Sequence, residues 1–235
     1  MAGYSSQDVI LVDKVMKTYR TRKMEYTAIR DISLKVKKGE FISILGPSGS
    51  GKTTLMNLIG TLDRPTRGRI LIDGVDTTSL NETQLAILRN RKIGFVFQSY
   101  NLVPYLNAFE NVSLPLMVDG LDTKENLDRG RALLSEVGLG EKLAKKPNEL
   151  SGGEQQRVAI VRALINNPPI ILADEPTGNL DSKTSDAVMN VLVRMAREKN
   201  TTIVMVTHEE DIAAYSDRHV YLKDGVIEKD KRMKK

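Results

Sequence analysis

The stretch Phe41-Ile42-Ser43-Ile44-Leu45-Gly46-Pro47-Ser48-Gly49-Ser50-Gly51-Lys52-Thr53-Thr54 decides the fold. Its first five residues are an apolar run of strand length, and residues 53–59 read as a helix. Between them, Gly46-x-x-x-x-Gly51-Lys52-Thr53 meets the P-loop spacing G-x-x-x-x-G-K-[ST] without deviation. Gly46, Gly49 and Gly51 permit backbone angles closed to other residues, so successive N–H groups can turn toward one anion. The following helix adds unpaired N–H groups and the positive end of its dipole. On this reading Pro47, Ser48, Ser50 and Thr54 complete the phosphate cradle. Lys52 sits on the β/γ-phosphates, and the Thr53 hydroxyl is a Mg²⁺ ligand.

Three more apolar runs, 93–97, 170–173 and 202–207, each end at a polar group: Gln98, Asp174 and His208. In open α/β sheets, ligands bind beyond the carboxyl ends of the strands. Four separate segments therefore bring phosphate- or metal-competent groups to one edge. Asp174 stands where a carboxylate holds Mg²⁺ through its water shell. Glu175, one residue on, points away from that metal and can orient or deprotonate an attacking water. His208 reaches toward a γ-phosphate or toward Glu175. Gln98 offers an amide oxygen to Mg²⁺ or to water. His219 precedes a strand without companion groups and receives no role.

The remaining chain supports an α/β fold: a P-loop NTPase core with a mainly parallel sheet, an N-terminal antiparallel β layer and a helical insertion. Ile32, Leu34 and Val36 alternate with polar residues, and residues 8–15 and 69–72 are further strands with no helix between them, which suggests the antiparallel layer. A short helix is expected over 83–91. Residues 99–150 change character: Pro104, Pro115 and Pro147 punctuate helical patterns, notably 127–137, which Gly138 terminates. An insertion of about fifty residues is long for a loop. Residues 151–166 read as one helix. Residues 182–199 read as a second, amphipathic one, with Ala187, Val188, Val191, Leu192 and Met195 on one face. Strands at 220–222 and 226–228 flank the turn Asp224-Gly225. The domain expectation is one unit over 1–235, with the core and its β layer from 1–98 and 151–235.

Bulk properties narrow the class. A 235-residue chain with 40% hydrophobic and 28% charged residues has ordinary globular composition and a substantial core. No stretch approaches the roughly 18 uninterrupted apolar residues of a membrane span. Residues 1–8 carry no apolar signal core, so a cytoplasmic location is expected. Cysteine is absent, which excludes disulfides and thiolate metal sites. Net charge is only +5, concentrated at Lys35-Lys37-Lys38, at Lys145-Lys146 and in the tail 229–235. It does not call for a nucleic-acid partner, and the tail reads as solvated.

A second glycine motif, Leu150-Ser151-Gly152-Gly153-Glu154, opens the helix at 151–166. Ser151 and Glu154 have capping-box spacing. Two glycines beside the cap leave bare N–H groups, however, and a bare helix N-terminus is an anion site. Ser151 can cap its helix at rest and meet phosphate when nucleotide arrives.

The P-loop, Gln98, Leu150–Glu154, Ile170–Glu175, Asn179-Leu180-Asp181 and His208 follow the order of ATP-binding cassette (ABC) ATPases, and the resemblance covers nearly the whole chain. Glu154 stands where the family more often has Gln. Gly178-Asn179-Leu180-Asp181 departs from the commoner Ser-Ala-Leu-Asp but keeps Asp181. The resemblance implies a Mg-dependent ATPase on the cytoplasmic face of a membrane, working as a head-to-tail dimer with two ATP molecules sandwiched between copies. Ser151 and the Gly153 amide would touch the γ-phosphate bound by the second copy, with Gly152, Glu154 and Asp181 beside it. Tyr19, in Lys17-Thr18-Tyr19, falls where the family stacks an aromatic ring on adenine. A transmembrane permease would dock near Tyr100, Leu102, Val103 and Tyr105. Phe97–Leu102, Leu114–Leu116 and Gly152–Ala159 look most like the branch serving lipoprotein release, macrolide export and FtsE-type cell division. The rival is a soluble ABC-type ATPase acting on DNA or ribosomes. Against it, residues 54–149 show no sustained heptads, and the chain carries one cassette.

Overall fold

The computed structural model describes residues 5–20 and 24–233. The first four residues of the expected signal-free N-terminus and the last two lysines of the basic tail lie outside the described residues.

Strands β1 (Asp8–Arg20) and β2 (Glu25–Lys37) form a long antiparallel pair, followed by β3 (Phe41–Leu45) and helix α1 (Lys52–Ile59). β4 (Arg67–Ile72) pairs with β1, and the short β5 (Val75–Asp76) with β4. Helix α2 (Glu82–Lys92) starts at a capping box between Asn81 and Gln84 and feeds β6 (Ile93–Phe97). The expected insertion contains α3 (Ala108–Val118) and α4 (Lys124–Glu136), and α5 (Gly152–Leu164) follows it. β7 (Ile170–Asp174), α6 (Ser182–Glu198), β8 (Thr202–Val206), the single turn α7 (Glu210–Ala213), β9 (Arg218–Lys223) and β10 (Val226–Arg232) complete the chain.

Two sheets result. The six-stranded sheet runs β10-β9-β3-β8-β7-β6 and is parallel except at β10; the four-stranded sheet, β2-β1-β4-β5, is antiparallel throughout. The parallel strands explain the continuous apolar runs, because both their faces are covered. Ile42, Ile44, Ile170, Leu172, Val204 and Val206 point into one core, shared with α1 and the antiparallel layer. Phe41, Ile171, Ala173, Ile203 and Met205 point into the other, shared with α3 to α6. Fully burying such a side chain is worth about 1.5–3 kcal/mol, so a one-residue register slip in β7 or β8 would disturb both cores together.

Three expectations change. The antiparallel strands are not short: β1 and β2 have 13 residues each. Register shifts interrupt their pairing, and Lys14 and Asp31 adopt φ of +50° and +54°, which breaks the alternation expected from a regular strand. Pro115 lies within α3. Its ring removes one helical N–H, while its carbonyl accepts from the side-chain amides of Asn90 (3.1 Å) and Asn166 (3.4 Å), tying the helix to the core at that point. On α6 the buried stripe is Ser185, Val188, Met189, Leu192, Met195 and Ala196, and Ala187 faces out.

Candidate nucleotide site

The parallel pairing brings the ends of β3, β6, β7 and β8 to one edge. The P-loop leaves β3 at Gly46, where φ is +152° and a Cβ would lie 2.0 Å from the Leu222 carbonyl oxygen. No other residue fits that position. Gly51, at φ +102°, is the N-cap of α1 and supplies no side-chain cap. The helices α2, α3, α5 and α6 are capped by Asn81, Asn107, Ser151 and Asp181. α1 alone among these leaves its first-turn N–H groups for an outside anion. The Gly225 amide donates to the Ser50 carbonyl (3.1 Å), pulling that oxygen to the back of the loop.

The cavity over this loop measures about 550 Å³ and is walled by P-loop residues, Tyr26, Ala28, Glu175 and His208. Lys52 donates to the carbonyls of Gly46 (2.7 Å) and Pro47 (2.9 Å). Burial pushes its ammonium below the usual lysine range, and Glu175 and Asp174 only partly oppose this. A phosphate would add an anionic partner that offsets the ammonium's loss of water.

Glu175 sits at φ +43° just past β7, a strained conformation for a side chain of its size. Its amide donates to the Val206 carbonyl (2.9 Å), and its Oε1 lies 2.8 Å from His208 Nδ1. The contact with Glu175 is one of the two expected for His208. Asp174 is half-buried, and burial together with repulsion from Glu175 raises its pKa against the pull of Lys52. A divalent cation would relieve that arrangement, so Asp174 and the Thr53 hydroxyl suit Mg²⁺. A raised carboxyl pKa favours the protonated native state: stability is full below the ordinary carboxylate range and falls as pH rises through the raised value. Nucleotide-free Asp174→Asn is therefore expected to melt about 1–3 °C above the parent near pH 7, a gain that disappears toward pH 4. Calorimetry across that range checks it, and a lower melting temperature at pH 7 would contradict it.

Gln98 does not line this cavity. Its side-chain amide meets Asn179 Oδ1 (3.3 Å), and Asn179 returns a bond to the Gln98 carbonyl (2.9 Å). Tyr19 is likewise outside the wall. It stands beside Thr54, with its hydroxyl on Asp63 Oδ2 (2.9 Å). Ser151 and Glu154 form the capping box, Glu154 pairs with Lys142 (2.6 Å), and Gly153 packs against Thr184. Asp181 caps α6 through Thr184.

Several residues escaped sequence reading. Tyr26 walls the cavity, its hydroxyl 3.4 Å from the Gly49 carbonyl. Gln156 is fully buried, and its amide donates to the carbonyls of Phe97 and Pro176. A polar residue in the apolar phase of α5 was the available signal. Arg162, also on α5, donates to the carbonyls of Tyr100 (2.8 Å) and Asn101 (2.6 Å), both residues at positive φ.

A groove of about 460 Å³ opens between β6, α2 and the helical side, lined by Leu62, Ala86, Phe95, Phe97, Pro115 and Val118 among others. It adjoins the expected docking segment without coinciding with it. Leu102 packs on a core cluster and Tyr100 is half-buried, whereas Val103 and Tyr105 are exposed.

A phosphate cradle at one sheet edge, faced by a carboxylate–histidine pair, defines a P-loop nucleotide-hydrolase cassette. The family model described as ABC transporter matches residues 29–178. The chain is 52% identical over 223 residues to the macrolide export ATP-binding/permease protein MacB of Syntrophobacter fumaroxidans, covering 94% of this chain but 31% of that protein. It is 50% identical to the lipoprotein-releasing system ATP-binding protein LolD of Aquifex aeolicus, covering 94% and 96% of the two chains. Among solved structures, the dimeric, post-hydrolysis ATP-binding cassette MJ0796 bound to ADP and Pi superposes with a TM-score of 0.88 at 46% identity, covering 96% and 99%. MJ0796 is from Methanocaldococcus jannaschii. The chain thus spans about a third of the MacB relative and nearly all of the other two. It belongs to the ABC transporter family, as one of its ATP-binding, ATP-hydrolysing subunits.

Proposed function

We propose that this chain couples ATP-driven dimerisation and hydrolysis to a separate transmembrane partner, as a peripheral subunit on the cytoplasmic face of the membrane. The observation that carries this is the Glu175–His208 pair, which lines the same cavity as Lys52. Gly46 to Thr54 hold the phosphates, with Lys52 released from its own loop carbonyls onto the β- and γ-phosphates. Thr53 and Asp174 hold Mg²⁺, which neutralises phosphate charge when bound. Glu175 takes the proton of the attacking water, and His208 fixes the carboxylate and meets the γ-phosphate. Gln98 would offer its amide oxygen to the metal or to water. Tyr19 stacks on adenine. Ser151, Gly152, Gly153 and Glu154 of a second copy, with Asp181 alongside, close the site. Dimeric MJ0796 with ADP and Pi supports the pairing, and the names of MacB, a macrolide export ATP-binding/permease protein, and LolD, of a lipoprotein-releasing system, support a role in export or release. Among the described residues no helix is long and apolar enough to cross a membrane.

The apolar groove beside Tyr100 to Tyr105 supplies the docking surface. Leu102 is a poor test residue because it packs in the core, whereas Val118 is 76% exposed at the groove. Val118→Asp together with Tyr105→Asp is expected to reduce co-purification with the membrane fraction by about thirtyfold or more, leaving basal ATPase activity unchanged. Full retention would remove the groove as the docking site. Recovery of the parent chain only with ribosomes or DNA would favour the soluble rival.

A further inference from the structure

Tyr19 is held by two residues that nothing so far has used. Asp63 lies just beyond the C-terminal end of α1, its amide bonded to the Asn57 carbonyl within that helix (3.3 Å). One carboxylate oxygen accepts from the Tyr19 hydroxyl (2.9 Å); the other accepts from Lys17 and from the Arg64 amide (2.7 Å). Lys17 is 12% exposed, also donates to the Arg64 carbonyl (2.8 Å), and sits 4.8 Å from the centroid of the Tyr19 ring. The cation thus covers a face of the ring, and Tyr19 as a residue remains 38% exposed. Thr54, in the first turn of α1, also touches Tyr19. The side chain is therefore referenced to the helix that carries the phosphate cradle. Despite the opposing effect of burial, the hydrogen bond from Lys17, with the Arg64 amide and Tyr19 hydroxyl, holds Asp63 below the ordinary carboxylate range, so it is a full acceptor at neutral pH.

We infer that Asp63 and Lys17 are positioning residues for the nucleotide base: they lock the Tyr19 ring with one face closed by the ammonium and the other left for adenine. This rests on the reading that Tyr19 stacks on adenine. Immobilising a side chain before the ligand arrives removes an ordering cost from binding. An aromatic stack without hydrogen-bond readout is otherwise tolerant of ring orientation.

The test uses the full chain with two probes, ATP and inorganic tripolyphosphate, which lacks a base, titrated calorimetrically with Mg²⁺. Tyr19→Ala is expected to weaken ATP binding about tenfold and leave tripolyphosphate unchanged. Tyr19→Phe, Asp63→Asn and Lys17→Met should each weaken ATP about three- to fivefold with tripolyphosphate again unchanged. Combining Asp63→Asn with Tyr19→Phe should cost no more than either alone, the signature of one shared interaction. Equal loss for both probes, or full additivity, would mean that Asp63 acts through the fold of α1 and would overturn the inference. If Tyr19→Ala weakens ATP while Asp63→Asn and Lys17→Met do not, the locking alone is wrong. If Tyr19→Ala leaves ATP binding intact, the adenine assignment falls first and this inference with it.

Discussion

Glu175→Gln is expected to bind ATP with near-parent affinity and to release phosphate about two to four orders of magnitude more slowly, the usual range for removing a general base. The amide keeps the size and one oxygen of the carboxylate, so it can still accept from His208, but it cannot take a proton from water. Nothing in the cradle changes, since Gly46, Gly51 and Lys52 hold their positions through backbone contacts. A protein that binds but does not hydrolyse should accumulate as an ATP-bound dimer, visible as doubled mass in size-exclusion chromatography with ATP and Mg²⁺. His208→Ala should also slow turnover, because the strained backbone at Glu175 would then hold a carboxylate without its 2.8 Å partner. Unchanged phosphate release by Glu175→Gln would end its assignment as the base.

The second large effect concerns the division of one site between two copies. Lys52→Ala removes the buried cation from one P-loop, and Ser151→Ala removes the hydroxyl at the head of α5. Neither variant alone should form nucleotide-bound dimers at normal ATP concentrations. In a head-to-tail pair, a mixed dimer has one interface where Lys52 of the second variant faces Ser151 of the first, and that site is complete. An equal mixture should recover up to about half of the parent's complete sites, since only the mixed pairs close and each has one intact site of two. Bound ATP per dimer measures this. No recovery, with both variants folded, would contradict the shared site. Ser151 also caps α5, and losing a cap costs about 1 kcal/mol by itself. Ser151→Asp separates the two roles: aspartate caps a helix well, so the melting temperature should hold, while its charge repels a γ-phosphate and dimerisation should fail.

What the sequence disclosed, and what it hid, follows from the range of the interactions. Residues 41–54 were legible because strand, loop and helix are consecutive and their chemistry is local. The runs at 93–97, 170–173 and 202–207 were legible because strands buried on both faces leave little room for polar residues. The ends of β1 and β2 were not: register shifts and positive φ at Lys14 and Asp31 break the period-two signal. The amide oxygen of Gln98 was expected at the metal or at water; its amide nitrogen donates to Asn179, a partner 81 positions away that local pattern cannot supply. Tyr26 reaches the cavity only because β2 turns back across the P-loop, and Gln156 finds its acceptors on two other strands' ends. Such contacts are products of topology.

Helix α5 has a consequence at a larger scale. Its 13 residues span about 20 Å as a rigid rod. Ser151 stands at one end, and near the other Arg162 grips the carbonyls of Tyr100 and Asn101, beside the apolar groove. Anything that tilts the rod at one end must move the other. A protein seated in the groove would sense through that lever whether a nucleotide has been captured by the neighbouring copy. Thermodynamic reciprocity then requires that its own grip alter how tightly the nucleotide is held.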